Sequence, residues 1–344
     1  MPFTIVSEDI TKMRVDAVVN AANTALAMGG GVCGAIFRAA GPAQMQAACD
    51  KLGPIRTGEA AVTPGFDLPC QYVIHAAGPV YADWTPAEAE RLLCSAYRES
   101  LRLARRKGCK SVAFPLISGG IYGYPKGDAL RVAETAILDF IYRNDMDVYL
   151  AIYDKSSFVP EGGLLSRVDD YLKTHLFRRP LFADSAPAEA TYSFAQADRP
   201  EDCCAPMPAM ASRKAASSLS ADHRIDDLVS KLDESFSTTL LRLIDDRGWT
   251  DVAVYKRANI DRKLFSKIRT GRGYMPSKRT ALALAVALEL DLKETDDLLE
   301  RAGYALSHSQ KFDVIVEYFI VNQKYDIFEI NEVLFQYDQP LLGA

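Results

Sequence analysis

The sequence predicts an α/β domain, in which helices cover both faces of a mostly parallel sheet, followed by an all-helical region. Short β-branched runs alternate with helical patterns in residues 1–177, and this alternation is typical of a three-layer α/β/α fold. Residues 178–222 are rich in Ala, Pro, Ser and Asp and lack hydrophobic periodicity, which indicates a flexible linker. Residues 223–344 carry helical patterns alone. We therefore expect two domains, 1–177 and 223–344, joined by that linker.

The elements of the first domain are expected in a regular order. Strands are expected at Thr4–Val6, Val15–Asn20, Tyr72–Ala76, Ser111–Ile117 and Asp147–Asp154. Helices are expected at Cys33–Cys49, Pro86–Lys107, Lys126–Tyr142 and Leu164–His175. Because open α/β sheets bind ligands at the carboxyl ends of their strands, that edge of the sheet is where we expect the site.

The composition limits the function class and the location. The chain has 344 residues, of which 49% are hydrophobic, enough to bury two cores. Its net charge of -5 gives no global sign of nucleic-acid binding, so any such signal must be local. Seven scattered cysteines predict reduced thiols and no metal site. No leader-like or membrane-spanning run is present, so we expect a cytoplasmic protein that does not bind a membrane.

Two glycine-rich junctions each follow an apolar, β-branched run. The first is GGGVCGAIFRAAG, from Gly29, and the second is PLISGGIYGYP, from Pro115. Glycines let the backbone approach phosphate oxygens, while loop amides and a helix N-terminus donate to them. A single glycine run is often a plain turn. Two anion-binding loops in one domain, however, predict a ligand that carries a diphosphate.

Polar and aromatic residues near these loops narrow the ligand further. Asp9 follows the first strand, where its carboxylate is placed to accept from an exocyclic amine or simply to cap a turn. Asn20 and Asn23 end the second strand, and their amides suit sugar hydroxyls as well as turns. Tyr122 and Tyr124 flank the second glycine loop, where a ring is expected either to shield the ligand or to pack beneath the loop.

Six colinear motifs in residues 1 to 176 together resemble the macrodomain family, which binds ADP-ribose. They are EDIT from Glu8, VNAAN from Val19, GGGV from Gly29 followed by GAIFRAAGP from Gly34, TPG from Thr63, YVIHAAGP from Tyr72 and SGGIYGYP from Ser118. The resemblance implies a three-layer α/β/α fold with a mixed, mostly parallel sheet. It also implies ADP-ribose, free or attached to a macromolecule, as the ligand, with no cofactor.

The resemblance also implies roles for individual residues. Asp9 corresponds to the acceptor of the adenine amine, with the Ile10 amide beside it, and Asn23 to the residue that contacts the distal ribose. The two diphosphate loops correspond to Gly30, Gly31 and Val32, and to Ser118, Gly119, Gly120, Ile121 and Tyr122. Either Tyr153 or Phe158 is expected as the aromatic residue on the adenine side.

Residue 33 departs from the branch of this family that hydrolyses ADP-ribose from acidic side chains. Members of that branch resemble this chain, but they have an aspartate at the position of Cys33 and a histidine at the position of Phe37. A neutral thiol is a poor general base for water. Two enzymatic routes therefore stay open: water activated by the ligand's own phosphate, with Asn23 positioning it, or attack by a Cys33 thiolate. The alternative is a protein that binds ADP-ribose and leaves it intact.

The helical region carries a local basic signal. Helical patterns run from Ser237 to Gly248, over Asp251–Ala258 and over Arg262–Arg269, and a fourth begins at Ser277. Their spacing resembles a Cro/repressor-type helix-turn-helix. The candidate DNA-binding residues on or beside the third helix are Arg262, Lys263, Ser266, Lys267 and Arg269, with Lys278 placed for phosphate. Related helical modules bind proteins instead, so both partners stay open.

The C-terminal stretch from Lys311 to Leu342 extends beyond a minimal repressor fold and is rich in aromatic residues. It is expected either to enlarge the helical core or to form a homodimer or partner surface. The sequence as a whole predicts recognition of ADP-ribose, with or without hydrolysis, coupled to a helical domain that binds DNA or protein. The other hypothesis is an active ADP-ribosyl hydrolase or O-acetyl-ADP-ribose deacetylase whose helical domain only targets it.

Overall fold

The computed structural model describes residues 3–153, 163–176, 234–270 and 274–343. The described residues up to Leu176 and from Ser235 onward belong to one compact unit. The predicted linker at 178–222 and the candidate ligand residue Phe158 lie outside the described residues. The division into domains therefore stays a prediction.

The first part of the chain contains one six-stranded sheet. Its strands are β1 Phe3–Val6, β2 Ala17–Ala22, β3 Ala60–Pro64, β4 Tyr72–Ala77, β5 Ser111–Pro115 and β6 Asp147–Ala151. The spatial order is β1-β6-β5-β2-β4-β3, and every pairing is parallel except that of β3 with β4. The predicted mixed, mostly parallel sheet is confirmed. The sequence analysis did not predict β3. Most of its residues are only half-buried, and it has no continuous apolar run that would mark a strand.

Helices cover both faces of the sheet. α1 (Gly31–Ala40) and α2 (Pro42–Leu52) pack on one face, and α3 (Pro86–Arg106) and α4 (Lys126–Arg143) pack on the other. The single helix expected over Cys33–Cys49 is wrong, because the chain turns at Gly41. That residue has φ 90°, and Pro42 then begins α2 as its first residue. A positive φ and a following proline cannot continue a helix.

The remaining helices form a separate, all-helical core, as predicted. They are α5 Leu164–His175, α6 Phe236–Asp246, α7 Asp251–Arg257, α8 Arg262–Thr270, α9 Lys278–Ala287, α10 Leu292–Arg301, α11 Lys311–Val321 and α12 Ile327–Gln336. The sequence assigned α5 to the α/β domain. In the structure it packs on α11, where the Tyr171 hydroxyl donates to Glu317 Oε1 at 3.1 Å. Much of the C-terminal aromatic stretch is core, since Phe319 is fully buried.

The α/β part and the helical part touch along the edge strand β1. The side-chain amide of Asn259, in the turn between α7 and α8, accepts from the Phe3 amide and donates to the Phe3 carbonyl, both at 2.8 Å. The Phe3 ring packs against Phe328 of α12 at a centroid distance of 5.9 Å. The turn of the predicted helix-turn-helix is therefore buried against the sheet. Within the described ranges, no helix has the length and apolar character needed to cross a membrane.

Candidate functional site

A cavity of about 1040 Å³ opens at the carboxyl ends of β1, β2, β5 and β6. Both glycine loops line it, as does Gly78 just after β4. The residues predicted to bind ligand that line it are Asp9, Ile10, Asn23, Gly30, Gly31, Val32, Ser118, Gly119, Gly120, Ile121, Tyr122 and Tyr153, together with Cys33. Asn20 is absent from the lining. The parallel sheet has thus brought segments from distant parts of the sequence to one edge.

The first glycine loop runs into the N-terminus of α1. Gly30 is its extended N-cap residue, and no side chain caps the helix there, so the first backbone amides are left for another acceptor. Gly31 has φ 57°, a conformation that favours glycine. A Cβ on Gly34 would lie 2.6 Å from the Gly29 carbonyl oxygen. The loop therefore needs glycine to fold back on its own helix.

The second glycine loop faces the first across the cavity. A Cβ on Gly30 would lie 3.4 Å from Ile121 Cδ1, so the two loops nearly touch. The buried Tyr97 hydroxyl anchors the approach to this loop by accepting from the Ile117 amide at 3.0 Å. Ser118 follows with φ 62°, and a Cβ on Gly78 would lie 2.3 Å from its Oγ. A rigid strand end thus presents a strained, glycine-rich loop.

Asp9 caps a short 3-10 helix, Ile10–Lys12, at the β1 end of the cavity. Its Oδ1 accepts from the Thr11 amide at 3.0 Å and from the Thr11 hydroxyl at 2.7 Å. The Thr11 hydroxyl bond is the main cause that lowers the pKa of Asp9 below its usual range. The turn-capping interpretation is therefore present in the structure. It leaves Oδ2, 3.3 Å from Lys12 Nζ, as the oxygen available to a ligand.

Asn23 lies at the other side of the cavity, just after β2. Its Nδ2 donates to the Ala27 carbonyl at 2.9 Å, and its Oδ1 accepts from the Ala27 amide at 3.0 Å. Each group retains one further hydrogen-bonding position, because an amide has two donors and two lone pairs. The loop bonds hold the side chain in place, so these remaining positions have a fixed direction.

Cys33 and Asn20 belong to a buried polar chain that the sequence did not predict. The Asn20 Nδ2 lies 3.6 Å from Cys33 Sγ and 3.1 Å from His75 Nδ1, and His75 Nε2 lies 2.9 Å from Thr63 Oγ1. Burial lowers the pKa of His75 to about 4, so the ring is neutral at physiological pH. With the Asn20 amide donating to Nδ1, Nε2 carries the proton and donates to Thr63. Asn20 therefore supports the floor of the site from beneath.

The aromatic candidates take different positions. Tyr122 is half-buried on the cavity wall, whereas Tyr124 is buried under the loop and packs on Tyr81 at a centroid distance of 4.8 Å. Tyr153 stands at the rim with 88% of its surface exposed, as does Ile121 with 84%. Both exposed side chains line the cavity.

The charged residues of the cavity include two that the sequence analysis did not single out. Glu8 lies beside Asp9 at the β1 end, and Lys126, at the start of α4, supplies a cation to the wall. Helix-starting lysines and strand-ending glutamates are common, so neither carries a signal in the sequence. Within the described ranges, no group of three His, Cys, Asp or Glu side chains is arranged to hold a metal ion.

The candidate DNA-binding residues lie on or near α8. Arg262, Lys263, Ser266, Lys267 and Arg269 are all exposed. Arg269 pairs with Asp251 of α7, and the half-buried Lys278 pairs with the buried Asp313 of α11. A lysine held by a buried carboxylate is poorly placed for DNA phosphate. The exposed basic surface therefore consists mainly of Arg262, Lys263 and Lys267.

Comparison with known proteins identifies the α/β part. The family model described as Macro domain matches residues 19–133. A macro domain-containing protein of Methanosarcina mazei is 49% identical over 162 residues, covering 46% of this chain and 86% of the relative. A relative from Escherichia fergusonii, named O-acetyl-ADP-ribose deacetylase, is 42% identical over 172 residues, covering 48% of this chain and 96% of that protein. A Xenopus laevis protein named ADP-ribose glycohydrolase MACROD2 is 47% identical over 136 residues, covering 40% of this chain and 32% of its own.

Solved structures are also similar. The Oceanobacillus iheyensis macrodomain with ADP is 40% identical and has a TM-score of 0.43, covering 44% of this chain and 84% of that chain. The Trypanosoma brucei macrodomain in complex with ADP-ribose is 34% identical with a TM-score of 0.41, covering 45% of this chain and 65% of that chain. Because the Methanosarcina mazei relative is covered over 86% of its length at 49% identity, this chain belongs to the macro domain family.

Proposed function

We propose that this chain binds ADP-ribose in the cavity at the carboxyl ends of its strands. The observation that carries the proposal is the convergence of two glycine-rich loops, which come so close that a Cβ added to Gly30 would lie 3.4 Å from Ile121 Cδ1. Uncapped amides at the start of α1 suit phosphate oxygens, and the helix dipole favours their charge. The diphosphate lies between the loops in this proposal.

The two ends of the cavity suit the two ends of the ligand. Asp9 Oδ2 is placed to accept from an adenine amine, and its depressed pKa keeps it ionised. Asn23, fixed by Ala27, is placed to contact the distal ribose hydroxyls. Two relatives carry names that refer to ADP-ribose chemistry, O-acetyl-ADP-ribose deacetylase and ADP-ribose glycohydrolase.

Hydrolysis is the second candidate function, favoured by the names of those relatives. The acidic residues on the cavity wall are Glu8 and Asp9, both at the β1 end, while Cys33 Sγ lies 4.0 Å from the Ala27 carbonyl that accepts from Asn23. Water at the distal ribose would then be activated by the ligand's own phosphate. In the competing route the Cys33 thiolate attacks the distal ribose and displaces the group linked to it, although Cys33 is only 5% exposed and its Sγ lies 3.6 Å from Asn20 Nδ2.

Calorimetry with ADP-ribose tests binding. Wild type is expected to release heat on binding, and Asp9→Ala is expected to weaken the affinity about tenfold through the loss of one charge-assisted hydrogen bond. Asp83→Ala is the control, because Asp83, the last residue of the 3-10 helix Tyr81–Asp83, is an exposed aspartate outside the cavity. Absence of heat with wild type would contradict the proposal.

Turnover assays then separate binding from catalysis. The substrates are O-acetyl-ADP-ribose and ADP-ribose linked to aspartate, glutamate or nucleobases. Activity that is lost in Asn23→Ala but retained in Cys33→Ala would support phosphate-activated water and exclude the thiolate route. Lack of turnover on every substrate, with binding intact, would establish a protein that only recognises ADP-ribose.

The helical part is proposed to bind DNA through the exposed basic side chains of α8. Binding to random duplex DNA should weaken with salt, and Lys263→Ala and Lys267→Ala should each reduce the salt slope by about 1. Lys293→Ala is the matched control, because Lys293 is an exposed lysine on α10. Absence of binding at low salt would favour a module that binds protein instead.

A further inference from the structure

We propose that the free edge of β1 is a second binding site, which takes an extended peptide segment carrying a carboxylate side chain. The site adjoins the candidate ADP-ribose cavity, with Glu8 lining both, but it does not depend on that function. It is a cavity of about 390 Å³ bounded by β1 and by the C-terminal stretch that follows α12. The occupant would add a strand to the sheet, a common mode of peptide recognition.

The hydrogen-bonding pattern of β1 leaves one edge of this strand open. β1 pairs in parallel with β6, and the Ile152 amide donates to the Val6 carbonyl at 2.8 Å. In a parallel ladder, the N–H and C=O of one residue point toward the same neighbouring strand, and those of the next residue point the opposite way. Thr4 and Val6 therefore face β6, whereas Phe3, Ile5 and Ser7 face away from it.

The first of these outward positions already holds a peptide-like group. The primary amide of Asn259 accepts from the Phe3 amide and donates to the Phe3 carbonyl, both at 2.8 Å. An added antiparallel strand would make the same two bonds with the C=O and N–H of one of its residues. The protein itself thus shows that this edge has the geometry for a further strand.

The next outward position, Ile5, has no such partner. Among the described residues, none hydrogen-bonds to the Ile5 amide or carbonyl, although Ile5 is only 5% exposed. A shielded backbone group without a protein partner costs free energy unless something else supplies the bond. Residues 4–8 all line the cavity, although side chains of successive strand residues point to opposite faces of the sheet. The cavity therefore lies along the edge of the strand.

Arg279 determines the charge of the occupant. It also lines the cavity, is exposed, and pairs with no carboxylate among the described residues. Arginine binds carboxylates through two parallel hydrogen bonds and cannot lose its charge. Glu8 also lines the cavity and disfavours a second acidic side chain. One carboxylate on an otherwise apolar or neutral strand fits this arrangement.

The test uses fluorescein-labelled hexapeptides of alternating valine and threonine with a single glutamate at each position in turn. Fluorescence polarisation with the full chain should show saturable binding with a dissociation constant below about 1 mM for at least one peptide. Replacing the glutamate by lysine, or methylating alternate backbone nitrogens, should weaken that peptide at least tenfold. Methylation removes the donors that a strand needs and leaves the side chains unchanged.

Two variants locate the peptide on β1. Arg279→Glu should weaken binding at least tenfold, while Lys293→Glu, the same charge change at an exposed residue of α10, should not. Ile5→Pro should abolish binding, because it removes the outward amide at an edge where proline is tolerated. It also replaces a side chain of the core. Circular dichroism and thermal melting check that Ile5→Pro folds.

Hydrogen exchange of wild type keeps the test independent of that variant. Bound peptide should slow exchange of the Ile5 amide and leave amides bonded to β6 unchanged. The proposal would be overturned if no peptide binds below about 1 mM, if Arg279→Glu binds as wild type does, or if Ile5 exchange is unaffected by saturating peptide.

Discussion

Asn259 joins the two halves of the compact unit, and its replacement by glycine tests how much that junction contributes to stability. The side chain is 3% exposed and makes two hydrogen bonds of 2.8 Å to Phe3. Asn259 also has φ 51°, a left-handed conformation that glycine adopts without cost. Asn259→Gly therefore removes the side-chain bonds while it leaves the turn unstrained.

The expected loss follows from those two bonds. Each neutral hydrogen bond contributes about 1 kcal/mol, and a buried peptide group left without a partner costs about 1–3 kcal/mol. Water partly replaces the lost partner at an edge strand, so we expect Asn259→Gly to lower the free energy of unfolding by about 2–4 kcal/mol. Asn259→Ala should lose about 1 kcal/mol more, because alanine at positive φ adds backbone strain.

Chemical denaturation followed by circular dichroism and by tryptophan fluorescence measures this loss. The control is Gln323→Gly, since Gln323 has φ 54° in an exposed turn without a comparable clamp. That change should leave stability equal or up to about 1 kcal/mol higher, because it relieves the same strain. A loss below about 0.5 kcal/mol in Asn259→Gly would refute the view that the amide clamps the two parts.

The remaining predictions concern burial and close packing. Burial and the nearby Glu332 carboxylate raise the pKa of Glu134 well above its usual range, so the stability it contributes is present below the unfolded pKa of about 4.5 and is lost as pH rises. Glu134→Gln should thus raise the melting temperature near pH 8 by a few degrees and have little effect near pH 4. His75, with its pKa lowered from 6.5 to about 4, contributes stability that is lost as pH falls between those values. Its replacement by glutamine should flatten that part of the pH–stability profile, by at most about 3 kcal/mol. Gly78→Ala should weaken ADP-ribose binding at least tenfold in calorimetry, because its Cβ would displace Ser118; unchanged affinity would contradict that packing.

Much of the fold was predictable because its signals are local. The β-branched runs predicted five of the six strands, and the glycine loops predicted where the cavity opens. Each of these signals depends on a few neighbouring residues. The positive φ of Gly31 and the uncapped helix start at Gly30 are properties of the loop itself and do not depend on distant contacts. Such requirements appear directly in the sequence.

The features that sequence analysis missed depend on contacts between distant residues. The Asn259 amide bonds to Phe3 across 256 positions, and nothing near Asn259 distinguishes it from an ordinary turn asparagine. His75 lies in the apolar strand β4, and its partners Asn20 and Thr63 come from the neighbouring strands on either side. Packing of α5 on the C-terminal helices likewise depends on which apolar faces meet, which periodicity alone does not determine.

Residue 33 shows why binding and catalysis separate at this site. The anion-binding loop uses backbone amides and glycine conformations, so its geometry does not require a particular side chain at Cys33. Activation of water requires a side chain of suitable basicity within reach, and a thiol held against the Asn20 amide is a poor substitute for a carboxylate. A substitution there can remove the base and leave the diphosphate-binding loops unchanged. Cys33→Asp, which would supply a carboxylate, is therefore expected to change turnover more than affinity, whereas substitution of Gly30 or Gly34 is expected to change affinity first.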